Sequence, residues 1–223
     1  MKVYDYNLIK KFKIPAKQVT TLDKEGLQKL INSMREDTLS RLRLKTAVIC
    51  LISCGCRVSE LIKLNISDVN LKLGTAQVIV KGGKMHTLIF NELAIAYIKK
   101  YLAMRAEQNQ IDGCDALFTT VNNKIPNRWS VNDFERALRN HGKKAGFQIS
   151  IHPHLLRRSS ASLLFHQNAS LSVVQRFLGH ATPSVTERYY LGNTSFSEVE
   201  RVHKGIMNDF NINTDSGEGG EKI

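Results

Sequence analysis

Cysteine is scarce in this 223-residue chain, four in all: Cys50, Cys54, Cys56 and Cys114. Three crowd into CLISCGCRVSEL, a C-x3-C-x-C spacing with no second C-x2-C pair. That pattern fits no common zinc site and reads as buried free thiols in a reducing compartment. Long apolar runs are lacking too. No stretch reaches the about eighteen residues a bilayer span requires. The opening MKVYDYNLIKKFKIPAK has no uninterrupted apolar stretch after its lysines, so it does not read as a secretory signal. Nucleotide-cradling loops are missing: no G-x4-G-K-[ST], and no G-x-G-x-x-G after a strand. There is no HExxH and no acidic cluster suited to two metals, so neither a cofactor nor a catalytic metal is expected.

Acidic residues are the other shortage. Twenty Asp and Glu face 32 Lys and Arg, a formal charge of +12. The last fifteen residues hold Asp209, Asp215, Glu218 and Glu221 with only Lys222, so residues 1–208 carry +15. A domain this positive attracts polyanions, nucleic acid first. The charge is spread along the chain rather than packed into one basic amphipathic helix, which argues against a membrane surface. With 42% hydrophobic and 23% charged residues the balance is that of a soluble globular protein.

Periodicity predicts a mainly α fold with a small antiparallel β-sheet. Residues 1–20, with five lysines and Pro15, read as a basic arm or interdomain linker. Leu22, Leu27, Leu30, Ile31 and Met34 lie on one helical face. A second helix runs roughly Ser40–Cys54 and stops at Gly55; Ser59 is the expected cap of a short helix over ELIKL, followed by NISDV as a turn. TAQVIV and MHTLIF flank Lys81-Gly82-Gly83-Lys84, a hairpin signature. Asn91 caps a helix to about Gln108, and Ser130 with Asp133 opens another containing Val131, Phe134 and Leu138, closed by Gly146. Helices are then expected over roughly 153–167, 171–178, 183–191 and 196–208. Residues 209–223 read as a disordered acidic tail.

What chemistry there is sits at loop–helix junctions. Arg57 follows a helix stop, and Lys81 stands at the hairpin tip. His154 and Arg157, in IHPHLLRRSS, share a face at i and i+3. His180 follows Gly179, and Tyr189 and Tyr190 lie nine and ten residues on. Each alone has an ordinary structural explanation as an ion-pair partner, turn residue, cap or packing group. Together, two Arg, one Lys, two His and a Tyr make a coherent phosphodiester site: arginines hold nonbridging oxygens bidentately, and a tyrosine can form a covalent phosphoryl-enzyme.

In these motifs the chain resembles the catalytic domain of the tyrosine recombinases, the phage integrase family. GCRVSEL matches the first arginine box; HPHLLRR followed by VVQRFLGHATPSVTERYY matches the second, H-x-x-R…L-G-H…Y. Lys81 lies 24 residues after Arg57, His180 lies 23 after Arg157, and Tyr189 lies nine after His180, all as in the family. The likeness covers about residues 20–205 and places a catalytic domain at 21–208. It implies that Arg57 and Arg157 clamp the scissile phosphate, that His154 and His180 hydrogen-bond it and assist proton transfer, and that Lys81 protonates the departing 5′ oxygen. Tyr189 would be the nucleophile, with Tyr190 its competitor, and Glu60 would support the Arg57 loop.

The same resemblance implies a site-specific DNA recombinase: double-stranded DNA carrying a recombination site as partner, a homotetramer on DNA and a monomer alone, acting in the cytoplasm. Lys84, Arg128, Arg136, Arg139 and Arg158 are candidate DNA contacts, with Lys2, Lys10, Lys11, Lys13 and Lys17 on the arm. Arg158 stands where members often have His, and His86 where the hairpin commonly carries Arg. Only 56 residues precede Arg57, too few for the usual N-terminal core-binding domain, so either an excised catalytic domain or a naturally minimal recombinase is expected. Two other readings stay open: a catalytically silent DNA-binding regulator, and a type IB topoisomerase.

Overall fold

The computed structural model describes residues 20–79, 83, 85–108, 114–120, 126–167 and 169–179. The arm, the helices expected over 183–191 and 196–208, and the acidic tail lie outside the described residues.

Among the described residues ten elements follow in order: α1 (Lys24–Ser33), α2 (Leu39–Cys54), α3 (Val58–Lys63), β1 (Val69–Asn70), β2 (Thr75–Ile79), β3 (Met85–Ile89), α4 (Glu92–Glu107), α5 (Val131–Lys144), α6 (Pro153–His166) and α7 (Leu171–Phe177). Helix α2 is the axis. From Thr46 to Cys54 its sequence is apolar nearly all round, and a helix with no polar face must be enclosed. It packs against α4 and α6, with α1, α3, α5 and β3 completing the shell. Cys50, Cys54 and Cys56 are buried free thiols at its end, and Cys114 is half-buried. Among the described residues no helix is long and apolar enough to cross a membrane.

Most predicted helix starts coincide with real caps. The Asn91 side chain accepts the Ala94 N–H, and Ser130 Oγ accepts the Asp133 N–H. The fold is mainly α with a small antiparallel sheet, as expected, but among the described residues the sheet has three strands rather than two. Val69–Asn70, within and just past the expected NISDV turn, pairs with Ala76 and Thr75 of β2. Two residues are too short for an alternating pattern to register.

Ser59 is not the cap of α3. The N-cap is Arg57, whose backbone N–H donates to the Glu60 carboxylate at 2.8 Å. An acid at the third helical position does the work a serine at the cap would do. Gly55 ends α2 with φ +57. The α7 residue Phe177 lies over that turn, and a Cβ on Gly55 would stand 2.1 Å from its ring. A glycine here is thus required twice, by backbone conformation and by close approach.

Candidate functional site

Two of the six predicted catalytic residues are drawn into one frame. Arg157, on α6, is buried to 8% exposure. Its Nη1 donates to the Gly55 carbonyl and its Nη2 to the Leu178 carbonyl, both at 2.6 Å. One side chain thus ties the α2–α3 corner, 102 residues away, to the end of α7. A guanidinium has five donors, so two carbonyl bonds orient the fork without exhausting it.

Arg57 begins α3 at the same corner. Its guanidinium donates to Glu60 Oε1 at 2.8 Å while Glu60 Oε2 takes its backbone N–H. The Glu60 side chain is only 9% exposed and that of Arg57 is 42% exposed, so a buried carboxylate holds an accessible cation. Burial, and then the nearby Arg57, pull the Arg157 guanidinium below its ordinary value. Glu60 opposes that repulsion, so the one carboxylate that pairs with Arg57 also favours the charge on Arg157. From Arg57 an open groove of about 670 Å³ runs past Ser59 and Lys63 to Gln77–Ile79 of β2.

His154 is exposed, one turn before Arg157 on α6. The cap of that helix is His152, whose Nδ1 accepts the Leu155 N–H at 3.2 Å. Burial, then His154 and Arg158, and more weakly Arg139, press the His152 pKa below its ordinary value of 6.5, with Glu135 opposing. The exposed Arg139 and Arg158 therefore form a positive patch near the start of α6, where the helix dipole adds to it. Lys81, Lys84, His180, Tyr189 and Tyr190 lie outside the described residues.

The remaining DNA-contact candidates divide. Arg136 is exposed and ion-paired with Asp133. Arg128 is otherwise engaged: Nη1 donates to the Ile62 and Leu64 carbonyls, each at 2.8 Å, and Nη2 to the Asn65 side chain. It braces the C-terminal end of α3. In the sequence His86 stands out only as a departure from a family pattern, yet it belongs to this neighbourhood. Glu60, Arg157, Arg176 and Arg57 all act on its ring. The signal was the period of β3, in which position 86 faces the same way as Leu88.

A mainly helical domain that gathers two arginines beside a three-stranded sheet is the fold of the tyrosine recombinase catalytic domains. The crystal structure of XerA recombinase matches with a TM-score of 0.64 at 27% identity, covering 86% of this chain and 66% of that one. The XerH site-specific recombinase bound to its difH substrate also matches at 0.64, with 24% identity, 83% of this chain and 53% of that one. The sequence model described as the Phage integrase family matches residues 20–195, and the chain belongs to that family. A curated relative is the tyrosine recombinase XerS of Streptococcus pyogenes serotype M49 (strain NZ131), 32% identical over 170 residues, 75% of this chain and 47% of that protein. The chain therefore spans about half the length of the curated relatives it matches.

Proposed function

We propose that residues 21–208 are the strand-cutting domain of a site-specific DNA recombinase, with residues 1–20 as a basic arm and 209–223 as an acidic tail. The observation that carries this reading is the meeting of Arg57 and Arg157, a hundred residues apart in sequence, on one rigid corner. The pair grips two nonbridging oxygens of a DNA phosphate. The phenolic oxygen of Tyr189 attacks phosphorus, the P–O5′ bond breaks, and the products are a 3′-phosphotyrosine and a free 5′-hydroxyl. Surrounding cations favour the phenolate of a group that otherwise ionises near pH 10. Lys81 gives its proton to the departing O5′, while His154 and His180 hydrogen-bond the phosphate and help move the phenolic proton. The phosphodiester energy is conserved in the phosphotyrosine, so rejoining reverses the same step with the 5′-hydroxyl of another strand as nucleophile.

The family membership, the relative XerS and the charge of +12 support double-stranded DNA as the partner. Strand exchange pairs two sites, so a tetramer assembled on DNA, from protomers that are monomeric alone, is part of the proposal.

A randomised pool lets the protein select its own DNA site. The full chain is incubated with nicked suicide duplexes whose core sequence is randomised, and denaturant-resistant protein–DNA adducts are isolated and sequenced. Adducts on one recurring sequence, abolished by Tyr189→Phe, are expected. Adducts that survive in Tyr189→Phe move the nucleophile to Tyr190. Sequence-specific binding with no adduct identifies a silent regulator, and relaxation of any supercoiled plasmid identifies a topoisomerase.

A further inference from the structure

Strand β3 carries a residue that packing alone does not explain. Its register pairs Ala76 with Leu88 and Val78 with His86, and Ala76, Val78 and Leu88 are buried. His86 therefore takes a core-facing position in a row of aliphatic residues, while Met85 points outward and is 64% exposed. An imidazole on such a face carries a desolvation penalty that Leu or Val would not.

What the ring meets there is the end of α7. Its Nε2, Cδ2 and Cε1 stand 3.0, 3.1 and 3.3 Å from where a Cβ on Gly179 would be. Gly179 has φ +61, and the residue after it is His180. The turn leading to the proposed proton-transfer histidine is thus pressed directly against the His86 edge. Beside it a cleft of about 300 Å³ is shared with Cys54, Arg176 and Phe177. The charged groups around the ring come from each neighbouring element: Arg57 and Glu60 from α3 and its cap, Arg157 from α6, Arg176 from α7.

We propose that His86 is a positioning residue for the phosphate site: directed inward from β3, its imidazole seats the Gly179 turn and so fixes the end of α7, whose Leu178 carbonyl aims Arg157 beside Arg57. The catalytic consequence rests on the recombinase reading above. Burial presses the His86 pKa below 6.5; Glu60 draws it up, and Arg157, Arg176 and Arg57 press it down. The ring is therefore neutral near pH 7. Protonation would add a cation beside three arginines and compete with Arg57 for Glu60, loosening the frame.

Full-length His86→Ala and His86→Gln, with folding checked by thermal unfolding, are compared with the wild type in single-turnover adduct formation on the recovered nicked duplex, between about pH 5.5 and 8.5. Near neutral pH, His86→Ala loses about 10- to 100-fold in rate with DNA affinity unchanged, the effect of displacing a reacting group by a fraction of an ångström to an ångström. His86→Gln, which keeps a polar atom near the Nε2 position, regains most of it. Below about pH 6 the wild-type rate falls further than that of His86→Gln, which cannot take up the proton. Wild-type rates and pH profiles in both variants overturn the inference and leave the recombinase reading standing. If the wild type itself forms no adduct, the recombinase reading fails, and inorganic phosphate titrated against the Arg57 and Arg157 side-chain Nε–H resonances decides the positioning role. Phosphate held about tenfold more weakly by His86→Ala sustains it, and equal affinity ends it.

Discussion

Arg157 does two jobs with one side chain. It presents a cation beside Arg57, and it bonds the Gly55 and Leu178 carbonyls. A lysine at this position keeps the charge but has no planar fork with which to reach both. Arg157→Lys should therefore destabilise the chain by about 2 kcal/mol in denaturant unfolding, by leaving a buried carbonyl unpaired. It should also slow adduct formation by about 100-fold or more through the lost aim of the charge. Arg57 and Arg157 were legible in the sequence as members of two spaced boxes, and Glu60 as a support. The bracing roles of Arg128 and His86 were not. A basic residue in a loop reads as a surface cation until the carbonyls of Ile62 and Leu64 are seen beneath it. A histidine in a strand carries no mark of which turn will lie against it.

The elements were legible wherever a cap or a stop is written in residue type. Gly55, Asn91 and Ser130 announced boundaries that the structure keeps. Two boundaries were missed for local reasons: the α3 cap, because Glu60 replaces a serine hydroxyl, and β1, because two residues show no period. The α2–α3 corner is where element geometry governs the site. Gly55→Ala would set a methyl 2.1 Å from the Phe177 ring and force φ +57 on a residue with a Cβ. The two penalties together should lower stability by about 2–4 kcal/mol, read as a shift in denaturant midpoint at unchanged slope. Because α7 rests on that turn, DNA cutting should fall with it.

At the scale of the whole molecule, charge and pH dependence follow from how the domain is put together. If the basic surface tracks DNA phosphate, log affinity should fall linearly with log salt, by about 0.9 per phosphate contact. Arg139→Ala and Arg158→Ala, both exposed at the α5–α6 patch, should each reduce that slope by about 1, whereas Arg128→Ala should leave it unchanged and lower stability instead. His86, His141 and His152 are all held below their ordinary 6.5, burial being the first cause in each. Their unfolded forms bind protons more readily, so stability should decline as pH falls from about 6.5, and the melting temperature should be lower near pH 5.5 than near pH 7.5. The contribution of Glu36, held low by Lys100 and Lys45 against the pull of burial, is lost only further down, in the carboxylate range. The bonds that aim Arg157 also impose an order in time. Gly55, Arg157 and Leu178 leave the ribosome in that sequence, and the first must wait 102 residues for its partner. Contacts this distant in the chain form late, after the closure entropy of the intervening loop has been met. A chain that ends between Arg157 and Leu178 carries both arginines but lacks the Leu178 carbonyl that holds one arm of the Arg157 fork. On the recombinase reading proposed above, the grip on phosphate is thereby withheld until folding is finished.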